Sequence, residues 1–466
     1  MLGMGNMRQW LMNISLVGGW FPAAAFAVIA VLSITLLVSA AVSKRDGRIL
    51  ATVLPIGVAA VSGMVGYVVA WLLSDVFVVF GVGLGSRVMS WVAAGFAIAG
   101  FAIVHIVLSR GMMRVAAAIL TVFAILAAAI GIDQSYGEYA TIGSLFGEDS
   151  YSQADLTGLA KRKDLITVAQ WRKQAANGTI RNIPANGTVN KIDIPATKSQ
   201  FEARKALVYL PPAALVDSKR KPALPVVLML SGQPGSPGRV FQAGGIQTMM
   251  DGYAKTHDGL APIVIAADQL GADSHNTLCV DSKVYGNALT YLTQDVVDWV
   301  KTNLPAAQDA KDWAIAGFSQ GATCSLQIGV NHPDLFGTMI PTDSEIKPTN
   351  GSRQEMIDRF FDGDTTAYEN QVPVNAIRNH APTHQMLIIG AGEKDTTSIR
   401  NVKTIAPVAA KAGMRVAAVE SSGNAHDWHA VQDVLRYGLA VFGHDTGLDG
   451  ANPNLSDYPN LKRITI

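Results

Sequence analysis

At 466 residues the chain is too long for one ordinary domain, and its 49% hydrophobic content with mean hydropathy +0.25 is high for a protein wholly in water. A net charge of +1 with Lys and Arg scattered rather than striped excludes the basic field that nucleic-acid binding needs. Two cysteines, Cys279 and Cys324, are too few for a four-ligand zinc site, and neither HExxH nor a paired CxxC occurs, so no metal or other cofactor is expected.

The apolar excess lies in residues 1–132, in four runs at about 20–42, 50–73, 88–108 and 115–132. Each is close to the roughly 20 residues that cross a bilayer, and none shows the polar face of a buried soluble helix. The first is too long, and too soon followed by others, to be a cleaved signal peptide. A transmembrane domain of four helices over 1–132 follows. The basic segments SKRDGR (43–48) and SRGMMR (109–114) follow the first and third runs, whereas the loop after the second has one Asp and one Arg. Lys and Arg are retained on the cytoplasmic side, so both basic loops face the cytoplasm and the chain after residue 133 is expected outside the cytoplasmic membrane. GVGLGS (81–86) lacks the strand before and the helix after that a phosphate-cradling loop needs, and reads as an interfacial loop. His105, near the inner end of the third run, reads as a bundle contact.

Residues 133–184 are polar and irregular and read as a connector with short helical pieces. A β and α alternation then begins. TVNKIDIP (188–195) and ARKALVYLPP (203–212) form a predicted strand pair, and LPVVLMLSGQPG (224–235) is a buried strand ending in a Gly/Pro loop. LAPIVIAAD (260–268) repeats that form, and ALTYLTQDVVDWVKTNL (288–304) has helical spacing. DWAIAGFS (312–319) runs from strand into turn, followed by the helix ATCSLQIGVNHP and the strands FGTMIPTD and HQMLIIGAGEKD. A helix at about 399–412 and the strand MRVAAVES complete the pattern. Such alternation predicts an α/β domain over 185–466 with a mainly parallel sheet covered on both faces.

GFSQG (317–321) therefore sits on a strand-to-helix turn at the carboxyl edge of a parallel sheet, where catalytic groups of such sheets cluster. Glycines on either side of Ser319 suit a nucleophile on a strained turn. A serine needs a base and an orienting carboxylate, which in this topology follow in the order acid, then histidine. GAGEKD places Asp395 at the carboxyl edge, with Glu393 as second choice and Asp343, after MIPT, as a weaker one. SSGNAHDWHA places His426 there, with His429 as second choice. Of the two oxyanion donors, one is expected to be the amide of Gln320 and the other that of Gln233, with Gly232 next in line.

Together, ARKALVYLPP, VVLMLSGQPG, GFSQGATCSLQIGVNHPDLF, GAGEKD and GNAHDW resemble the esterase family of α/β-hydrolases that includes S-formylglutathione hydrolases and secreted mycolyltransferases, over about residues 185–445. The resemblance implies Ser319 as nucleophile, Asp395 as acid, His426 as base and the amides of Gln233 and Gln320 as oxyanion donors. One departure is Ser231-Gly232, where many relatives have His-Gly or Asp-Gly. The four-span region joined to such a domain is similar to membrane esterases of actinobacteria, some tied to aminoacyl-lipid metabolism. Cys324 in the helix after the turn and Cys279 in a loop from the same sheet edge are expected to form a disulfide. The expected activity is that of a membrane-anchored serine esterase whose partners are the bilayer and a lipid-derived or envelope ester, aminoacylated lipids included. An acyltransferase of the mycolyltransferase type would use the same triad, and a silent membrane sensor or scaffold is the reading of a different class.

Overall fold

The computed structural model describes residues 4–42, 48–77, 84–148, 151–159, 164–217 and 220–466. Positions 43–47 of the SKRDGR loop and 81–83 of GVGLGS lie outside the described residues. The chain divides into two compact units, Met1–Glu148 and Asp149–Ile466.

The first unit contains α1 (Met4–Met12), α2 (Trp20–Ala41), α3 (Arg48–Trp71, extended by a π turn Leu72–Val76), α4 (Gly85–Leu108), α5 (Met112–Tyr136) and α6 (Ile142–Leu145). Among the described residues, four stretches are long and apolar enough to cross a membrane: Trp20–Ala41, Ala51–Val76, Gly85–Leu108 and Met112–Tyr136. The predicted runs fall inside or within a residue or so of them. Helix is the form such sequences must take where no water is available, because it satisfies every backbone polar group within one segment. Leu36, Phe101, Ala102, Ala117 and Leu120 make the inner seam. Small residues let the helices approach: a Cβ on Gly100 would lie 2.4 Å from Ser62 Oγ. His105 is buried in this seam with its ring 4.6 Å from that of Phe101. Outward-facing Val31, Ile34, Val61, Met64, Val107, Val122 and Ile125 are each more than half exposed, an apolar belt far larger than a soluble surface carries.

The second unit is built on one ten-stranded sheet: β1 (Ser152–Gln153), β2 (Thr188–Ile192), β3 (Ala206–Leu210), β4 (Val226–Leu230), β5 (Ile263–Ala266), β6 (Trp313–Phe318), β7 (Thr338–Thr342), β8 (Met386–Gly392), β9 (Arg415–Ser421) and β10 (Leu461–Arg463). Their spatial order is β1-β2-β3-β5-β4-β6-β7-β8-β9-β10. From β5 to β9 all pairings are parallel, whereas β2 with β3, β3 with β5, and β9 with β10 run antiparallel. The near-continuous apolar runs of the central strands follow from burial on both faces. Val226, Leu228 and Leu230 point into one core with Ile263, Ile265 and Ile315, while Val227 and Met229 point into the other with Val264, Ala314 and Ala316. The helices Val296–Asn303, Gln320–Asn331 and Thr396–Lys411 cover the first face, and Ile246–Lys255 and Trp428–Asp445 the second. This is the α/β-hydrolase arrangement, with the nucleophile strand β6 at its centre.

Two features depart from the sequence reading. Part of the predicted connector is integral to the second unit: β1 pairs with β2, and the helix Val168–Ala176 buries Trp171, whose Nε1 donates to Asp258 O at 3.1 Å. A two-residue strand leaves no periodic signal to find. Between β7 and β8 the chain adds the helices Arg353–Phe360, Thr365–Glu369 and Pro373–Asn379, which the reading passed over. Their marks were present, since the side chains of Ser352 and Asp364 cap the first two.

Candidate active site

Ser319 stands between β6 and the helix Gln320–Asn331 with φ 56 and ψ −118, a backbone conformation that a side-chain-bearing residue adopts only when its surroundings impose it. Its N–H is held by Thr342 O on the neighbouring β7 at 3.0 Å. The turn closes because its glycines admit close backbone contact. A Cβ on Gly317 would lie 2.2 Å from Gly321 O, and one on Gly321 would lie 2.3 Å from Ser231 O and 2.7 Å from Leu230 O. Gly321→Ala must therefore push helix and strand apart, and is expected to destabilise the unit by about 3 kcal/mol, the upper end of ordinary overpacking. Urea unfolding of the variant beside wild type measures this.

The loop after β9 brings His426 to the serine. Ser319 Oγ and His426 Nε2 are 2.8 Å apart, and His426 Nδ1 and Asp395 Oδ2 are 2.7 Å apart. An ionised carboxylate only accepts, so Nδ1 carries the proton and Nε2 is left as acceptor for the serine hydroxyl. Asp395 also caps the helix Thr396–Lys411, accepting from Ser398 N at 3.0 Å. Burial pushes the Asp395 carboxyl up, but the bonds from His426 and Ser398 outweigh it and hold the group below its ordinary value. Burial pushes the His426 imidazole down, and the bond to Asp395 carries it above its ordinary value, helped by the charges of Asp395 and Asp427 and by that of Asp343 only where Asp343 is ionised.

The amide of Gln320 is the first in its helix and so has no intrahelical acceptor. The loop 231–235 lies against the turn, for a Cβ on Gly232 would sit 3.5 Å from Ser319 Cβ. Two anchors fix that loop, the buried Gln269 and the partly exposed Arg204. Gln269 Nε2 donates to Ser231 O at 2.7 Å, and Arg204 Nη2 donates to Gly235 O at 2.9 Å. Arg204 is in turn gripped by Asp268, fully buried at the end of β5, through Nε at 2.9 Å and Nη2 at 2.7 Å. The Gln320 side chain points away from the serine: its Nε2 reaches Asn276 Oδ1 at 3.3 Å and Cys324 Sγ at 3.3 Å. Cys279 and Cys324 form a disulfide that ties the 276–280 loop to the helix Gln320–Asn331.

Of the other candidates, Glu393 is turned away to the surface, where it pairs with Lys462 at 2.8 Å and accepts from Gly423 N at 2.7 Å. His429 opens the helix Trp428–Asp445 with its N–H on Asp427, and it is the ring of His426 that meets Ser319. Asp343 is fully buried, accepts from Gly392 N at 2.9 Å, and has a ligand-type atom within 4.8 Å of those of both Asp395 and His426. That trio has residue types that bind metals, yet both ring nitrogens of His426 are already engaged, by Ser319 and Asp395. Sequence reasoning missed Arg204, Asp268 and Gln269, because their contacts join residues 31 to 64 positions apart and no local pattern marks them.

The family model described as "Putative esterase" matches residues 198–438, more than half of the chain. An uncharacterized protein of Corynebacterium glutamicum is 32% identical over 333 residues, covering 70% of this chain and 74% of its own. Among solved structures, an S-formylglutathione hydrolase from Agrobacterium tumefaciens is similar with TM-score 0.46 and 16% identity, over 57% of this chain and 98% of that one. The fluorophosphonate-binding serine hydrolase F of Staphylococcus aureus is similar with TM-score 0.45 and 13% identity, over 55% of this chain and 98% of that one. On the extent of the family match and of the Corynebacterium relative, this chain belongs to the esterase family, serine hydrolases that act on carboxylic esters.

Proposed function

We propose that this protein is a membrane-anchored esterase in which Ser319 attacks the ester carbonyl, His426 moves the proton and Asp395 orients and steadies the imidazole. The observation that carries the reading is the continuous hydrogen-bonded chain Ser319–His426–Asp395 at the carboxyl edge of the sheet. As Oγ bonds to the carbonyl carbon, Nε2 takes the hydroxyl proton, and the resulting imidazolium faces the Asp395 carboxylate. The oxyanion is received by the amides of Gln233 and Gln320. Collapse expels the alcohol, which leaves with the proton from Nε2, and an acyl-Ser319 ester remains. Water then attacks that ester with Nε2 again as base, releasing the acid and restoring the serine.

Because only neutral His426 can accept the proton, kcat/KM is expected to fall with acid. The imidazole is raised above its ordinary 6.5, so the fall begins on the alkaline side of 6.5. A pH profile of ester hydrolysis checks this, and an acid limb at or below 6.5 would contradict the shift.

The four apolar helices and the hydrolase unit share one chain, so insertion tethers the site to a bilayer. The basic loops at 43–48 and 109–114 support an extracytoplasmic catalytic unit. The substrate that fits this tethering is a lipid or envelope ester, aminoacylated lipids among them. The test is mass spectrometry of membrane lipids from cells carrying wild-type protein and cells carrying only Ser319→Ala. A lipid ester that accumulates in the variant supports hydrolysis and names the class. A lipid missing from the variant would replace hydrolysis by acyl transfer, and identical extracts would sink the lipid-substrate reading.

A further inference from the structure

We infer that Asp343 is a reserve partner for His426, a second carboxyl that takes over the imidazole when Asp395 cannot serve. This rests on the reading of Ser319, His426 and Asp395 just given.

Asp343 ends β7 and Asp395 follows β8, so two aspartates reach one histidine from the ends of adjacent strands. Asp343 is placed there at a conformational cost. It is a non-glycine residue with φ 56, held by its own N–H to Gly390 O at 2.9 Å and by its Oδ1, which accepts from Gly392 N. Its Oδ2 is buried without a hydrogen-bond partner among the described residues, which is costly for an ionised carboxylate and much less so for a neutral acid.

Two carboxyls this close cannot both ionise cheaply. Asp395 has the better claim to the charge, since it accepts from His426 and Ser398, whereas burial pushes Asp343 up to about 8. The charged and titratable groups around Asp343 are His426, Asp395 and Asp427, and Glu345 from the segment after β7 also faces His426. A neutral Asp343 has a use in the intact site, because a second carboxylate would hold His426 protonated and unable to accept the serine proton. Burial does most to keep Asp343 neutral, and removing the Asp395 charge deletes the repulsion that adds to it, so Asp343 ionises at lower pH. Its carboxylate would then face the imidazolium formed during attack.

The experiment uses full-length protein in detergent with p-nitrophenyl acetate as the probe ester, comparing Asp395→Asn, Asp343→Asn and the double variant. Loss of the triad carboxylate alone costs on the order of 10⁴-fold in a serine protease that has no reserve. Asp395→Asn is expected to lose only about 10²-fold here, to regain rate with rising pH as Asp343 ionises, and to fall roughly a further 10²-fold with a flatter profile in the double variant. Asp343→Asn alone is expected to lose less than Asp395→Asn. Equal rates and equal pH profiles for Asp395→Asn and the double variant overturn the inference, as does an Asp343→Asn loss equal to that of Asp395→Asn. Should the Asp343 variants not fold, infrared difference spectra decide. A buried carboxylic-acid band that is lost at lower pH in Asp395→Asn than in wild type is expected, and an unchanged titration of that band overturns the inference. Ser319→Ala in the same assay separates the two levels: an active Ser319→Ala removes the underlying triad, whereas an inactive one with matched Asp395→Asn and double variants removes only the reserve role of Asp343.

Discussion

Ser319→Ala is expected to lower the rate of ester hydrolysis by about 10⁵- to 10⁶-fold while leaving the fold in place. The size follows from the unit behaviour of a triad, in which losing the nucleophile costs about as much as losing all three members. What survives is the weaker catalysis of substrate binding and oxyanion stabilisation, roughly 10³-fold over water. The substitution removes one oxygen from a half-buried position and keeps the backbone bond from residue 319 to Thr342 O. A loss of activity with unchanged thermal melting therefore reports chemistry. Hydrolysis of a p-nitrophenyl ester by purified full-length protein, with melting followed by circular dichroism, reads both. A loss smaller than 10²-fold would move the nucleophile to another residue.

The second large effect concerns the Cys279–Cys324 bridge. It closes a separation of 45 residues, for which the chain-entropy account gives about 4 kcal/mol of stabilisation. In a domain of this size that corresponds to a fall on the order of 10 °C in melting temperature when the bridge is reduced or when both cysteines are replaced by serine. Activity is expected to suffer before unfolding does. The Gln320 side chain rests on Cys324 Sγ, and its backbone amide is the proposed oxyanion donor, so a loosened helix start lets that donor wander. Scanning calorimetry and hydrolysis with and without reductant measure the two consequences. An unchanged melting temperature after reduction verified by mass would refute the entropic account. The pairing also supports the proposed extracytoplasmic placement, because structural disulfides persist in oxidising compartments.

What was legible in the sequence follows local rules. The four apolar runs, the unbroken strand runs such as VVLML and IVIA, and the glycine-flanked serine each carry their signal within a dozen residues, and the structure places them as read. Asp395 and His426 were found because the topology fixes which strand ends can meet at one edge, and they lie 2.7 Å apart. The choice between Asp395 and Glu393 depended on which carboxyl turns inward to cap the helix Thr396–Lys411. Long-range contacts were illegible. Arg204 reaches Gly235 and Asp268 across the sheet, and Gln269 crosses 38 residues to Ser231. Asp343 was visible as a carboxyl at the right edge, but its neutrality depends on burial and on the charge of Asp395, which only the assembled site supplies.

The most direct test of the central claim is to react full-length protein with a fluorophosphonate probe and map the adduct by peptide mass spectrometry. The account predicts a single adduct, on Ser319, whose formation slows as the pH falls through the titration of His426. No adduct on the folded protein, or an adduct on any other hydroxyl, would contradict it.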